Sequence, residues 1–223
     1  MDMLDRAATR KVLRSGPSST IMSELMERLV MKNHESISYD FVGECLDYDA
    51  DSGLFRWKSR PCEHFQNIRS CNAWNARFAG SVAGNVGSHG YIRIKLLGFD
   101  YRAHRLAWFI CYKQWPIDID HINGVVTDNR ISNLRIATSS ESGFNRFSRK
   151  KSDNFIGISW NKANSNWTAQ IAAGESKKQH IGSFAELKDA VLAYNAECER
   201  LHGEYGKRKI EHNLNKLREM GLI

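Results

Sequence analysis

Residues 120–142, DHINGVVTDNRISNLRIATSSES, constrain the fold of this chain more than any other segment. Apolar and polar residues alternate up to Asp120 and His121, which predicts a strand that ends at this pair. A polar loop and a second short strand, LRI, follow. Thr138 and Glu141 match the capping-box pattern T-x-x-E, which predicts that a helix begins directly afterwards. The stretch therefore predicts a strand, a loop, a second strand and a helix, in that order.

Asp120 and His121 place a carboxylate directly beside an imidazole. A carboxylate can hold a hard divalent cation such as Mg²⁺ or Mn²⁺, and an imidazole can take a proton from water. Together the two groups can attack a phosphodiester. The pair therefore indicates a metal-dependent nuclease, although a DH pair beside an NG turn can also be a hydrogen-bonded loop without catalytic function.

The charge of the chain indicates an anionic partner. The formal net charge is +7 and the isoelectric point is about 9.2, so double-stranded DNA is the leading candidate. No run approaches the roughly 18 apolar residues of a membrane span, and the charged N-terminus does not resemble a secretory signal. We therefore expect a cytoplasmic, intracellular protein that does not enter a membrane.

The cysteines favour free thiols. They are Cys45, Cys62, Cys71, Cys111 and Cys198, an odd set without a CxxC pair. Free thiols in a reducing compartment fit this pattern best. A structural zinc site is the alternative, with ligands from Cys62, His64, Cys71 and His89. The spacing of these residues, however, lacks the close ligand pairs of zinc ribbons.

The first two-thirds of the chain predict an extension and a central domain. Residues 1–37 carry one amphipathic helix, which most simply docks on the next domain and alternatively binds a partner. Residues 38–149 form the central domain, in which short strands and turns predict a β-meander before the central stretch. Helical spacing from His104 to Tyr112 predicts a helix behind that stretch, and His104 is interpreted as a structural histidine.

Residues 150–210 predict a small second domain, and residues 211–223 a C-terminal tail. The segments FIGISW, NWTAQIAA and KKQHIGSF predict three strands of an antiparallel sheet. A helix from about Ala185 to His202 carries its apolar residues on one face and is expected to cover one side of the sheet. The other side is free to meet a partner, and the predicted fold class is α+β.

Residues 41–149 resemble the HNH endonucleases of phages and mobile introns, the homing type included. The residues that carry the resemblance are HRLAW, IDHINGVVTDNRISNLR and the AT segment that follows. The resemblance implies a ββα-metal core from about residue 116 and one-metal hydrolysis of DNA. It also implies that Asp120 binds Mg²⁺ or Mn²⁺, that His121 activates water, and that Asn133 fixes the loop and the orientation of the histidine.

One position departs from the pattern of this family. A further metal ligand, Asn or His, is expected nine positions after Asn133, where this chain has Ser142. A serine hydroxyl is neutral, shorter than an Asn amide and a poorer cation ligand. Asn145 or Glu141 could take its place, and Asn145 also matches a recurrent Asn of the family. Otherwise the metal relies on Asp120 and substrate phosphate, or the nuclease is weakened or inactive.

Basic residues around the central stretch are candidates for phosphate contacts. They are Arg130, Arg135, Arg146, Arg149, Lys150 and Lys151. The last four belong to a basic linker, residues 146–151, between two DNA-facing modules, so we expect it to contact phosphates. A solvated charge run is the alternative interpretation of this linker.

Residues 154–208 are similar to the Apetala-type domain of plant ethylene-response factors, which also occurs fused to phage HNH nucleases. The matching segments are GISW, NWTAQI, HIGSF and the helix DAVLAYNAECERLHGEYG. The similarity implies a sheet in the DNA major groove. It also implies that seven residues lie near DNA: Trp160, Lys162, Trp167, Gln170, Lys177, Lys178 and His180. Because the first two strands carry no arginine, strong readout of base sequence is not expected, and Trp167 could instead pack in the sheet.

The leading hypothesis is a Mg²⁺- or Mn²⁺-dependent DNA endonuclease of phage or mobile-element origin, positioned on DNA by its C-terminal sheet. The rival is an HNH-derived DNA-binding protein whose catalysis was weakened or lost because Ser142 replaces a metal ligand. An interaction module that uses the N-terminal helix is a third possibility. The oligomeric state stays open: a monomer would nick one strand, and a homodimer could cut both.

Overall fold

The computed structural model of the chain describes residues 37–147, 154–173 and 178–223. The helix predicted in the N-terminal extension lies outside these ranges, as do the predicted DNA contacts Arg149, Lys150, Lys151 and Lys177. The described chain combines helices with small antiparallel sheets, which confirms the predicted α+β class. None of its described helices is both long and apolar enough to cross a membrane.

Helices and short strands alternate in the part of the chain that precedes the central stretch. In order, the elements are α1 (Tyr39–Cys45), β1 (Leu46–Tyr48), β2 (Phe55–Trp57), α2 (Ile68–Phe78), β3 (Asn85–Val86), β4 (Ile92–Leu96), β5 (Phe99–Arg102) and α3 (Ala103–Tyr112). Strand β1 pairs with β2, and β3, β4 and β5 form an antiparallel meander. The predicted β-meander is thus correct for β3 to β5 but wrong for the whole segment, because α2 separates these strands from the first hairpin.

Helix α2 has a local start signal that the interpretation as strands and turns missed. Asn67 caps it, since the side chain accepts a hydrogen bond from Ser70 N at 2.9 Å. Cys71 is its one buried side chain, and the Trp74 ring packs on Trp57 with the ring centroids 5.3 Å apart. Cys71 and Trp74 lie one helical turn apart among further apolar residues at the same spacing, so the sequence also carries a short apolar stripe that the interpretation as strands and turns missed.

A disulfide joins Cys62 to Cys71, which corrects the expectation that all five cysteines are free thiols. The turn Cys62–His64 and the first half of α2 bring the two Cα atoms to 5.3 Å, within the range that a disulfide spans. The free cysteines are Cys45, Cys111 and Cys198. Within the described ranges no three His, Cys, Asp or Glu side chains form a group that could hold a metal, so the alternative zinc site is not formed.

Helix α3 confirms the helix predicted behind the central stretch. Its buried residues Ala103, Leu106 and Ala107 recur at helical spacing and form one face. This face belongs to the same core as Ile94 and Leu96 of strand β4. Burial of one leucine side chain contributes about 1.5–3 kcal/mol, so this contact fixes the helix on the meander.

The central stretch forms the predicted order of strand, loop, strand and helix. Its elements are β6 (Ile119–His121), a 3₁₀ turn (Ile131–Asn133), β7 (Leu134–Ile136) and α4 (Ser139–Asn145). The predicted capping box is confirmed, because Thr138 Oγ1 accepts from Glu141 N at 3.2 Å and Glu141 Oε2 accepts from Thr138 N at 2.7 Å. Strands β6 and β7 are antiparallel and place Asp120 opposite Arg135.

The C-terminal part forms the predicted three-stranded antiparallel sheet and the helix after it. Its elements are β8 (Ile158–Asn161), β9 (Asn166–Ala172), β10 (Lys178–Phe184), α5 (Leu187–His202), a 3₁₀ turn (Gly203–Tyr205) and α6 (Lys207–Glu219). Helix α5 covers one face of the sheet, where Tyr194 and Cys198 share a core with Ala169 and Ile171 of β9.

Residues 211–223, predicted to be a tail, contain most of helix α6, and this helix belongs to the C-terminal core. Leu217 is fully buried. The buried Asn213 side chain accepts from Ile156 N at 2.8 Å and donates to Asn195 Oδ1 at 3.1 Å. These contacts tie α6 to α5 and to the entry of the sheet. The proposed domain boundaries themselves stay a prediction.

Gly157 gives a prediction for the packing of this sheet on α5. Its φ is +78°, and an added Cβ would collide with the Tyr194 ring and lie 2.7 Å from Gln170 O. Gly157→Ala should lower the free energy of unfolding by about 1–2 kcal/mol for the left-handed backbone and by about 1–3 kcal/mol more for overpacking. Gly80→Ala is the matched control, with φ +80° and no atom within 4 Å. Equal losses for the two variants in urea unfolding would contradict the packing.

Candidate functional site

A polar, open pocket of about 410 Å³ lies where the central stretch meets the C-terminal helix α6. From the central stretch and the residues directly beside it, the pocket is lined by Asp118, Ile119, Asp120, His121, Gly124, Val126, Ser139, Ser142 and Asn145. From elsewhere it is lined by Tyr91, Arg102, Arg146, Phe147 and Arg208. The fold therefore brings together the predicted catalytic histidine, the predicted metal ligands and one predicted phosphate contact.

Hydrogen bonds from the described residues reach only one carboxylate oxygen of Asp120. Its Oδ2 accepts from Arg135 Nε at 3.1 Å, Arg135 Nη2 at 2.8 Å and Asn145 Nδ2 at 2.9 Å. No hydrogen bond from the described residues reaches Oδ1. Because three donors fix the carboxylate, its second oxygen has a defined position at which it can meet a cation or a ligand.

His121 is buried, with 3% of its surface exposed, and is oriented by Asn129. His121 Nε2 lies 3.3 Å from Asn129 Oδ1. An amide oxygen can only accept a hydrogen bond, so Nε2 carries the proton and Nδ1 keeps its lone pair. Asn129 is itself fully buried, and Tyr48 donates to its backbone oxygen at 2.7 Å. The imidazole is thus fixed in the tautomer whose basic nitrogen is Nδ1.

Burial sets the charge of His121. Desolvation lowers the pKa of this histidine below its usual value of 6.5. The hydrogen bond to Asn129 and the negative charges of Asp120 and Asp128 raise the pKa, but they only partly oppose the burial. The imidazole is therefore neutral at pH 7, which is the form that can accept a proton.

Asn133 holds the loop between the two strands. Its Oδ1 accepts from Asn123 N at 3.0 Å, and its Nδ2 donates to Asn123 Oδ1 at 3.0 Å and to Asp128 O at 2.8 Å. The backbone oxygen of Asn133 also accepts from Ile122 N at 2.9 Å. One buried amide therefore fixes both ends of the loop that follows His121.

Ser142 and Asn145 occupy different parts of helix α4. Ser142 is half-buried and lines the pocket. Asn145 is buried, and its Nδ2 donates to Asp120 and to His121 O at 2.8 Å while its Oδ1 accepts from Arg208 Nη1 at 3.3 Å. Since its oxygen is already engaged, Asn145 positions Asp120 in this structure.

Glu141 is not placed to replace the missing ligand. Its Oε2 accepts both from Thr138 N and, at 2.8 Å, from Thr138 Oγ1. These two bonds are the first causes that lower the pKa of Glu141 below its usual value. The Glu141 carboxylate therefore caps the start of α4 and is not placed to bind a cation in the pocket.

The donors in the pocket fit a hard divalent cation that keeps part of its water. Those that the predicted metal ligands offer are the Oδ1 of Asp120 and the hydroxyl of Ser142, and the Asp118 carboxylate also lines the pocket. Mg²⁺ is commonly bound through one or two carboxylates together with water and substrate phosphate. The described residues contain no cluster of three or more His, Cys, Asp or Glu that could hold a metal, so a resident cation would need these additional ligands.

Comparison with known protein families finds a match in the central stretch and the segment before it. Residues 101–143 match the HNH endonuclease family model. The match begins in strand β5 and ends in helix α4, so it contains Asp120, His121 and Asn133. An HNH domain indicates a DNA endonuclease, and the match therefore supports a nuclease with DNA as its substrate.

A phage protein shows a more distant similarity. Protein 3.8 of Escherichia phage T7 is 29% identical to this chain over 90 residues, which cover 40% of this chain and 73% of the phage protein. No solved structure gives a significant match. The family match stops before the C-terminal sheet, so it carries no information about the Apetala-type assignment.

The predicted phosphate contacts near the central stretch lie in three different settings. Arg130 is half-exposed outside the pocket, and its Nη2 pairs with Asp128 Oδ2 at 2.6 Å. Arg135 is mostly buried, pairs with Asp120 and lies over the Tyr205 ring at 3.9 Å. Arg146 is exposed and lines the pocket. Of the three, Arg146 has the position best suited to reach a phosphate.

The predicted contacts on the C-terminal sheet do not share one face. His180 pairs with Gln170, and Lys178 pairs with Ala172 two positions further, so Gln170, Lys178 and His180 lie on one exposed side. Lys162 lies exposed in the turn between β8 and β9. The other face carries the tryptophans, and their role in DNA binding stays a prediction along with that of the exposed side.

Trp160 and Trp167 lie on the side of the sheet that the helices cover. They are cross-strand partners, and their ring centroids lie 5.0 Å apart, edge to face. They line a pocket together with Leu187 of α5 and Met220, which follows α6. This placement favours the alternative in which Trp167 packs in the sheet.

His104 lies behind the site and gives a prediction for stability. It is 3% exposed, its ring centroid lies 5.0 Å from that of His121, and burial lowers its pKa from 6.5 to about 3. Below pH 6.5 His104 is therefore protonated in the unfolded chain. In the folded chain it stays neutral until the pH falls to about 3. The free energy of unfolding should fall across this window, by up to about 1.4 kcal/mol per pH unit.

The variant His104→Phe keeps a ring but cannot titrate. Urea unfolding at pH 7, 6, 5 and 4 should show a shallower loss of stability in this variant than in the parent. If the two chains lose stability in parallel, His104 is not the titrating group.

Proposed function

We propose that the chain is a DNA endonuclease that hydrolyses phosphodiester bonds in the pocket around Asp120 and His121. The observation that carries the proposal is the juxtaposition of a fixed carboxylate with one open oxygen and a neutral imidazole with a free lone pair. Both lie within the segment that matches the HNH endonuclease family. We further propose a ββα-metal core and a site of action in the cytoplasm of a phage host cell.

Asp120 and Ser142 would hold Mg²⁺ or Mn²⁺. When bound there, such a cation supplies positive charge that stabilises the charge developing on the phosphate and on the leaving oxygen. Arg135 and Asn145 keep the Asp120 carboxylate oriented toward that place through their bonds to Oδ2. Asn145 thus acts as a positioning residue.

His121 is the general base of the proposed reaction. Its Nδ1 takes a proton from a water molecule, whose oxygen forms a bond to the phosphorus while the bond to the 3′ oxygen breaks. The leaving 3′ oxygen gains a proton from solvent, so the products are a 5′-phosphate and a 3′-hydroxyl. Asn129 holds the reactive tautomer through its bond to Nε2.

The C-terminal sheet is proposed to position the DNA, as an Apetala-type domain would. A second pocket is lined by Gln170 and Lys178 of the sheet and by Lys209 of α6. Arg146 and Phe147 line both this pocket and the catalytic pocket, so the two pockets adjoin, and we propose that their basic residues form one DNA-facing surface. A duplex that follows this surface would reach His121 and the sheet together.

Lys178 provides a test of this surface. Lys178→Ala should weaken DNA binding and reduce the slope of log affinity against log salt by about 0.9, because one phosphate contact is lost. Lys188→Ala is the control, since Lys188 is also exposed but lies on helix α5. If the slope of log affinity against log salt is the same for the parent and Lys178→Ala, the sheet does not belong to the proposed DNA interface.

The alternative function is a DNA-binding protein without catalysis, and Ser142 is the observation that favours it. Incubation of supercoiled plasmid with Mg²⁺ or Mn²⁺ separates the two functions. We expect the parent to produce nicked circles if it acts as a monomer and linear molecules if it acts as a dimer. Ser142→Asn should cut faster, because an amide oxygen is the better ligand. If the parent binds DNA but does not cut it, while Ser142→Asn cuts, the chain is a DNA-binding protein without catalysis.

A further inference from the structure

We propose that Arg208, on the C-terminal helix α6, is a phosphate-binding catalytic residue of the same pocket. This inference rests on the proposed nuclease function and deepens it. The consequence is that the catalytic site is incomplete without the C-terminal part of the chain, which lies beyond the segment that matches the nuclease family.

The guanidinium of Arg208 is fixed beside the carboxylate site. Its Nη1 donates to Asn145 O at 3.1 Å and to Asn145 Oδ1 at 3.3 Å. Asn145 in turn donates to Asp120 Oδ2 at 2.9 Å. Arg208 also lies over the Phe147 ring, with 4.6 Å from its Cζ to the ring centroid. One residue therefore separates the guanidinium from the carboxylate that would hold the cation.

The loop after His121 leaves room for this side chain. Gly124 has φ +68°, and a Cβ added there would collide with all three atoms Cζ, Nη1 and Nη2 of Arg208. Only glycine therefore lets the loop and the guanidinium approach this closely. The close approach places Arg208 against the loop that links the two strands of the site.

The turn before α6 packs on strand β7. The start of the helix that carries Arg208 is therefore fixed relative to the site. Tyr205 Oη donates to Ile136 O at 3.0 Å, and Arg135 lies over the Tyr205 ring. Arg135 Nη1 also donates to Glu204 O at 3.3 Å. These contacts set the start of α6 on the nuclease core.

Two nitrogens of the Arg208 guanidinium have no hydrogen bond to the described residues, whereas all three side-chain nitrogens of Arg135 are hydrogen-bonded. In Arg135 the Nε and Nη2 groups bond Asp120, and Nη1 bonds Glu204. In Arg208 only Nη1 has a hydrogen bond to the described residues. Its Nε and Nη2 are left to form the paired bonds that a guanidinium makes with a phosphate. A charged donor fixed before the substrate arrives is the arrangement that stabilises a transition state.

The test is single-turnover cleavage of plasmid DNA by the full chain at saturating protein. Arg208→Ala should cut about 10²–10³-fold more slowly, while its dissociation constant for DNA changes less than about threefold. Arg218→Ala is the matched control: Arg218 lies on the same helix, is exposed and bonds Asn215. This variant should cut at the parental rate.

Two further measurements separate catalysis from folding. Arg208→Lys keeps the charge and the alkyl stem and should cut at an intermediate rate. Millimolar guanidinium should partly restore Arg208→Ala and leave the parent unchanged. If Arg208→Ala cuts as fast as the parent, Arg208 has no catalytic role and the nuclease function stands. If the parent itself does not cut with Mg²⁺ or Mn²⁺, the proposed function fails and this inference fails with it.

Discussion

Replacement of His121 by Ala should lower the rate of DNA cleavage by about 10²–10⁴-fold, the usual contribution of a general base. The reason is the position of Nδ1, the one basic nitrogen that the bond between Nε2 and Asn129 leaves available. Single-turnover rates measured at saturating protein isolate the chemical step from DNA binding. Affinity for DNA should stay close to that of the parent, because the imidazole is buried and neutral.

The pH profile of the same reaction adds an independent check. Because burial holds the pKa of His121 below 6.5, the base form predominates at neutral pH. The parental rate should therefore be flat above pH 6.5 and fall only in more acidic solution, and His121→Ala should lack that fall. His89→Ala is the control, since His89 is exposed and bonds Ser88 at 2.9 Å. Cleavage by His121→Ala at the parental rate would eliminate the proposed mechanism.

Replacement of Asp120 by Asn should lower cleavage by about 10²–10³-fold, since the cation contributes several kcal/mol to transition-state stabilisation and each 1.4 kcal/mol is tenfold in rate. The amide keeps the size of the carboxylate and can still accept from Arg135. It removes the negative charge that attracts the cation. Binding of Mn²⁺, measured by calorimetry without DNA, should weaken in parallel with the rate.

Asp118→Asn is the matched control for Asp120→Asn. Asp118 lines the same pocket, and its Oδ2 accepts from Ser139 Oγ at 3.2 Å. We expect this variant to keep Mn²⁺ binding and most of its activity. If Asp118→Asn loses binding while Asp120→Asn retains it, the cation has been assigned to the wrong carboxylate.

Local signals explain why the centre of the site could be predicted from the sequence. Thr138 and Glu141 act within one helical turn, and the alternation that ends at Asp120 and His121 acts within one strand. Such patterns need no knowledge of the rest of the fold. The side-chain bonds of Asn133 to its loop likewise span only ten residues at most.

Contacts between distant segments explain what the sequence did not reveal. Arg208 meets Asn145 across 63 positions, and Asn213 meets Ile156 across 57. The basic run KRK gave no sign that its arginine enters a pocket. The disulfide of Cys62 depends on helix α2, which brings Cys71 within reach and which the interpretation as strands and turns missed. Asn129, in the triplet DNR, could have been noticed, but the pairing with His121 depends on the conformation of the loop.

The proposed chemistry is tested most directly by the ends of the DNA that the parent chain produces. Supercoiled plasmid incubated with the parent and Mg²⁺ should become nicked or linear, and a chelator should abolish the conversion. Because the 3′ oxygen is the proposed leaving group, the breaks should carry a 5′-phosphate and a 3′-hydroxyl, which DNA ligase reseals without further treatment. Breaks that ligase cannot reseal, or intact plasmid with both Mg²⁺ and Mn²⁺, would contradict hydrolysis by Asp120 and His121.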